Sequence, residues 1–367
     1  MKQYKLLTPG PLTTTESVKK EMMVDHCTWD DDYKNITQKI RRELLEIGHV
    51  SEDEYTTVLM QGSGSAGVEA VFTTSIKDKD KVLILANGAY GERMAEIARY
   101  AGLNYILKQW NYDQVPDAKE VEEILDADKD ITHVSMVHCE TTSGILNDIE
   151  AVGKVVHDAG KIFILDAMSS FGGVDIPLDQ LRPDFMISSA NKCIQGVPGF
   201  SFIICNTEVL KLCKGNSRSL SLDLYAQWET MNIDGKWRFT SPTHVVLAFA
   251  KAMEELKEEG GVRKREQRYR KNNEILIGRM KEMGIKTYID EEHQSPIITT
   301  FFYPESHEFS FEDMYYFIKE RGYAIYPGKV TSADTFRIGN IGDIHPQDME
   351  KLCDIFQEFI TDMTKEN

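Results

Sequence analysis

From about residue 57 to residue 205 the sequence repeats one unit: a short apolar run, a turn, and a stretch with helical spacing. The runs are "TTVLMQ", "KVLILAN", "NYILKQW", "HVSMVHCE", "KIFILDAM", "DFMISSA" and "FSFIICN". Helix-like segments such as "SAGVEAVFTTSI", "YGERMAEIARYAG" and "DIEAVGKVVHDAG" lie between them. Apolar strands alternating with helices predict an α/β fold with a mainly parallel sheet covered on both faces. In open sheets of this kind, ligands bind at the carboxyl ends of the strands. The residues just after each apolar run are therefore the candidates for a site.

The pattern changes after about residue 240. Two long helical stretches come first, then "PIITTFFY", "FEDMYYFIKERG", "YAIYPG", "TFRIGN" and a last helix from Pro346. This predicts a smaller α+β unit over 246–367, with a large domain over 15–245 and residues 1–14 packing near the small unit and the site. No Pro/Gly/Ser-rich linker separates the two, which predicts that they pack together.

Three strand ends carry unusual residues. "QGSGSAG" at 61–67 joins a strand to a helix and exposes backbone N–H groups at a helix N-terminus, which suits a phosphate. No Gly-Lys-Ser/Thr follows, so it is not a P-loop, and a plain glycine-rich connection is the simpler reading of this segment alone. Asp166 ends a buried run, where a carboxylate must be paired, cap a helix or face a ligand. Lys192 sits in "ISSANKCIQGVPGF", a turn of small residues where an unpaired ammonium is costly unless its pKa falls. A phosphate cradle, a strand-end aspartate and a later lysine together match what pyridoxal 5'-phosphate needs.

At these residues the chain resembles the class V aminotransferases, which are fold-type I pyridoxal-phosphate enzymes. The resemblance runs nearly end to end, through "LLTPGPLTTT", "LMQGSGSAGVEAV", "NGAYGERM", "MVHCETTSG", "DAMSSFGG", "SSANKCIQGVPGF", "GKWRFTSPTH" and "YPGKVTSADTFRIGNIG". The blocks "SSANKCIQG" and "SRSLSLDLYAQW" resemble the branch of the class that acts on 2-aminoethylphosphonate and pyruvate.

The resemblance implies a seven-stranded, mainly parallel sheet between helices, and a two-half-reaction transamination in a cytoplasmic homodimer. It implies Lys192 as the Schiff-base lysine and proton carrier, and Asp166 as the partner of the pyridine nitrogen. Tyr90 would stack on the ring, and Thr142, or its neighbour Thr141, would bond the ring hydroxyl. Ser63, Gly64 and Ser65 would cradle the phosphate, with Thr240 reaching it from the other subunit. Arg337 would bind the acid group of the substrate, with Thr8 and Gly10 of "TPGP" closing the pocket beside it. One arginine is expected to serve both substrates, since no second arginine stands in an equally recognisable motif.

Plainer roles exist for several of these residues. Tyr90 fits an ordinary core, Thr240 a helix cap before Pro242, and Arg337 an ion pair with Asp343. Cys193 reads as packing. Two rival functions remain: a serine– or alanine–glyoxylate aminotransferase, and a non-catalytic phosphate-binding protein. The acids Asp30 to Asp32 stand where other class members carry an arginine-containing segment, which disfavours a dicarboxylate substrate.

Charge excludes another class. Forty-two Lys and Arg against 59 Asp and Glu give a net charge of −17, which argues against a nucleic-acid partner. The one basic run, "VRKREQRYRK" at 262–271, reads as the solvated face of a helix. No apolar stretch reaches the roughly 20 residues that span a bilayer, and none has signal-peptide form. Six scattered cysteines without a CxxC pair fit buried thiols in a reducing compartment, and the histidines show no zinc spacing.

Overall fold

The computed structural model describes residues 4–305, 309–330 and 332–365; residues 1–3 of the expected N-terminal segment, and 306–308, 331 and 366–367 of the expected small unit, lie outside these. All seven apolar runs join one sheet. Its order is Tyr55–Gln61, Phe200–Asn206, Phe185–Ser189, Ile162–Asp166, His133–Val137, Lys81–Ala86, Asn104–Gln109. Every pairing is parallel except the two made by Phe200–Asn206. The exception follows from chain length. Only residues 190–199 separate that strand from Phe185–Ser189, too few for the dozen or more that a parallel crossover takes. The chain must turn straight back, and Lys192 sits in that turn.

Helices cover both faces of the sheet, giving one core with Leu83, Leu165 and Phe202 and another with Val58, Ile84 and Ile187. "HVSMVHCE" is not one strand. It runs as His133–Val137, then breaks at His138, whose N–H donates to the carbonyl of Asp166, before a short hairpin of Cys139–Glu140 with Ile145–Leu146.

The smaller unit has an antiparallel sheet of Ile298–Phe302, Thr335–Gly339 and Tyr326–Pro327, packed on helices Val262–Glu282, Phe311–Glu320 and Pro346–Lys365. The N-terminal strand Lys5–Leu6 pairs with Tyr323–Ala324, and Leu7 enters the same core. The expected boundary at 245 falls inside the helix Thr243–Glu259. Its buried residues, including Phe249 and Leu256, pack in the large core beside Phe200 and Phe202, so the chain leaves that core only near Gly260.

The basic run is only partly solvated. Arg265 is 1% exposed and Arg268 is largely covered, both on the inner side of the helix Val262–Glu282. Both donate to Glu259. The period of the run hid this, because exposed lysines and arginines alternate with the two inward ones. No helix of the described residues is long and apolar enough to cross a membrane.

Candidate active site

The carboxyl ends of five strands that run in the same direction converge on one region. Tyr55–Gln61 leads to Ser63, Gly64 and Ser65; Lys81–Ala86 leads to Tyr90; His133–Val137 leads to Glu140, Thr141 and Thr142. Ile162–Asp166 ends on Asp166 itself, and Phe185–Ser189 leads to Lys192. A cavity of about 440 Å³ is lined by Ser63, Gly64, Ser65, Tyr90, Asp166 and Lys192, with Arg93 and Met168 among the other walls. A hollow of the same volume lies elsewhere, between Glu43, His49, Asp175 and Arg263. Its His49 and Arg263 both lean on Asp175, at 2.7 and 3.4 Å, so that carboxylate is already engaged.

The first cavity holds a buried carboxylate and a half-buried amine, each with few partners. Asp166 is 5% exposed and accepts one hydrogen bond, from the N–H of Met168 at 2.8 Å. Burial pushes its pKa up to about 7, with the charge of Glu140 adding to the effect. The Lys192 ammonium donates to the carbonyl of Pro9 at 2.9 Å, and burial holds its pKa below the usual lysine range. A buried carboxylate and a half-buried amine that lean on one backbone group each are poised for a ligand that carries their complements.

Backbone geometry shapes the same space. Gly64 opens the helix Gly64–Ser75, and a Cβ there would collide with the Met168 sulfur. Ser63 is the N-cap residue, yet its side chain makes no cap bond, so the first N–H groups of the helix remain available to an anion. Gly10 lies on Lys192 at φ +126°, where a Cβ would come within 3.0 Å of Cδ, Cε and Nζ. The Thr8 hydroxyl is used internally, donating to the carbonyl of Pro11 at 2.5 Å.

The hydroxyls near the ring site divide clearly. Thr142 Oγ1 donates to Glu140 at 2.6 Å and accepts from the N–H of Ala89 at 3.1 Å. Thr141 Oγ1 is buried and has no hydrogen-bond partner among the described residues. Arg337 is 6% exposed and donates to the carbonyls of Pro327 and Thr141 at 3.0 and 2.9 Å. It is not paired with Asp343, which bonds His345 instead. Arg337 and Thr142 stand beside the cavity rather than in its wall. Thr240 is exposed on its own chain and is not a helix cap; Pro242 holds that position. Asp30 to Asp32 do not line the cavity either. They start the helix Asp31–Ile47, where acids complement the helix dipole. Cys193 is fully buried, its Sγ against the carbonyl of Ser169.

Three residues escaped the sequence reading. Glu140 is fully buried and accepts from the N–H groups of Tyr90, Gly91 and Thr142, fixing the start of the helix Ala89–Tyr100. Arg93 and Lys329 flank Tyr90. All three stand inside the quoted blocks "MVHCETTSG", "NGAYGERM" and "YPGKVTSADTFRIGNIG", so the signal was their position beside recognised residues.

The Lys192 turn is braced from behind. Arg265 donates to the carbonyls of Cys193 and Ile194 at 3.1 and 3.2 Å, and the Gln195 amide donates to the Tyr269 hydroxyl at 2.6 Å. Arg265→Ala is expected to cost about 3 kcal/mol of stability, the low end for breaking a buried ion pair, because Glu259 keeps Arg268. Urea unfolding would show this as a lowered midpoint; an unchanged midpoint would make the brace incidental.

The sequence profile of the family described as Aminotransferase class-V matches residues 25–342. A 2-aminoethylphosphonate–pyruvate transaminase of Lysinibacillus sphaericus (strain C3-41) is 58% identical over 367 residues, covering 100% of both chains. A bifunctional phosphonoacetaldehyde hydrolase/aminoethylphosphonate transaminase of Clostridioides difficile (strain 630) is 52% identical over 97% of this chain and 56% of that one. Among solved structures, an alanine–glyoxylate aminotransferase from Nostoc sp. superposes with a TM-score of 0.89 at 22% identity, over 98% of this chain and 96% of the other, a likeness of fold alone.

Proposed function

The chain belongs to the class-V aminotransferases, and on that footing we propose that it moves the amino group of 2-aminoethylphosphonate to pyruvate, giving phosphonoacetaldehyde and L-alanine. The observation that carries the reading is 58% identity over the full length to a transaminase of that name. The site supports it. The cofactor is pyridoxal 5'-phosphate, and the residues present fit it: a lysine and a carboxylate short of partners, a free helix N-terminus with Ser63, Gly64 and Ser65, and an unpartnered Thr141 hydroxyl. When bound, that group supplies an electron sink for the bond broken at the amine-bearing carbon.

The chain's own residues do the rest. Lys192, its amine made easier to deprotonate by burial, holds the cofactor and carries the proton taken from the substrate carbon. Asp166 keeps the ring nitrogen charged. Tyr90 covers the ring. Thr141 holds the ring hydroxyl in preference to Thr142, whose own hydroxyl is committed to Glu140. Arg337 takes the carboxylate of pyruvate with its planar fork. Amino-donor profiling tests the reading: 2-aminoethylphosphonate should be the best donor, and a preference for serine or alanine with glyoxylate would refute it. A protein that never turns yellow with the cofactor would be a phosphate binder only.

The working form is a homodimer in the cytoplasm. Exposed Met23, Val24, Trp29 and Phe239 support a partner copy beside Thr240, since His244 bonds Asp25 at 3.0 Å and Lys236 lies over Trp29 at 4.8 Å. All six cysteines are free and five are buried, in keeping with a reducing compartment. If Thr240 acts across the interface, Lys192→Ala and Thr240→Ala chains are each expected to be crippled alone. Mixed dimers should recover about half of wild-type activity, because one of the two sites would then be intact. Verified mixed dimers without recovery would confine Thr240 to its own chain.

A further inference from the structure

Three cations stand at the site without a carboxylate partner among the described residues. Arg337 bonds only backbone carbonyls. Lys329 Nζ lies over the Tyr90 ring at 4.3 Å, and the guanidinium of Arg93 lies 5.0 Å from the same ring. Lys329 is half-buried there, and Arg93 also lines the cavity. Neither makes an ion pair or hydrogen bond to a described residue, although acids outnumber bases in this chain by a net charge of −17. A cation held by an aromatic face keeps its charge and its N–H donors free for another ligand. Burial, then the charges of Arg93 and Arg337, lower the pKa of Lys329, while the carboxylates of Glu140 and Glu92 act against them without pairing with it, so the three cations share one field. Like charges set side by side cost free energy, and a bound anion would relieve that cost.

We propose that Lys329 and Arg93 form a dianion subsite that takes the phosphonate of the amino donor, leaving Arg337 to the carboxylate of pyruvate. The assignment rests on the transaminase reading above and replaces the single shared arginine expected from sequence. The chemistry distinguishes the substrates. A phosphonate, like a phosphate, carries up to two negative charges near neutral pH and three acceptor oxygens. A carboxylate carries one charge and matches one planar guanidinium. An ammonium and a guanidinium on one aromatic ring suit the first, and a single buried arginine suits the second.

The test uses the holoenzyme and Lys329→Met, which keeps the apolar stem and removes the charge. Each half-reaction is measured alone, and methylphosphonate serves as an unreactive probe of the subsite. Losing one charged hydrogen bond is expected to weaken methylphosphonate binding, and kcat/KM for 2-aminoethylphosphonate, by about 10- to 100-fold. The pyruvate half-reaction should stay close to wild type. Arg93→Met is expected to act in the same direction, and Arg337→Lys to damage the pyruvate half instead. Equal losses in both halves, or unchanged methylphosphonate binding, would overturn the subsite. If the wild-type enzyme ignores 2-aminoethylphosphonate altogether, the functional reading fails, while methylphosphonate binding to the wild type and to Lys329→Met still decides the subsite.

Discussion

Lys192→Ala is expected to abolish transamination while leaving the fold intact. The side chain ends in a cavity, against the Pro9 carbonyl, and makes no ion pair with a described residue. On the proposed reading two functions would be lost together, covalent attachment of the cofactor and transfer of the substrate proton. Proton transfer by a positioned base is alone worth roughly 10²–10⁴-fold. The variant should still take up pyridoxal phosphate noncovalently through the N-terminus of the helix Gly64–Ser75 and Asp166, so cofactor binding and activity should separate. Turnover within tenfold of wild type would remove Lys192 from the chemistry.

Asp166→Asn is the second large effect. Asparagine keeps the size and can keep the hydrogen bond from Met168, so folding should survive. It cannot carry the negative charge that, on the proposed reading, would hold a proton on the ring nitrogen. In the free protein, burial has already raised this carboxyl to about 7, so a cationic partner is needed to hold it fully ionised at neutral pH. The charged bond so formed contributes roughly 1.5–3 kcal/mol, and its loss predicts at least about a 10- to 100-fold fall in the rate of proton removal in a single turnover. An unchanged single-turnover rate would leave Asp166 a structural role.

The sheet was legible because its strands are apolar runs between helices, and a parallel sheet buried on both faces demands that pattern. Lys192, Asp166 and the Ser63–Ser65 turn were legible for the opposite reason: each places a polar or small residue where burial makes it costly or purposeless without a ligand. Glu140, Arg93 and Lys329 were not, because an acid or a cation near a helix start or in a loop looks solvated until the tertiary contacts show what covers it. Arg265 hid in the same way inside a basic run. The helix Thr243–Glu259 spans the expected boundary near 245 and carries no composition break; its apolar face alone decides which core it joins. The choice between Thr141 and Thr142 depends on which hydroxyl Glu140 occupies, a fact of geometry that neighbouring identical residues cannot reveal.

The central claim is that nitrogen passes from 2-aminoethylphosphonate to pyruvate on this protein. Incubating the holoenzyme with ¹⁵N-labelled 2-aminoethylphosphonate and pyruvate tests it directly. The account predicts ¹⁵N-alanine and phosphonoacetaldehyde in equal amounts, with none formed by Lys192→Ala. Unlabelled alanine, or no alanine from this donor while serine or alanine reacts readily with glyoxylate, would contradict it.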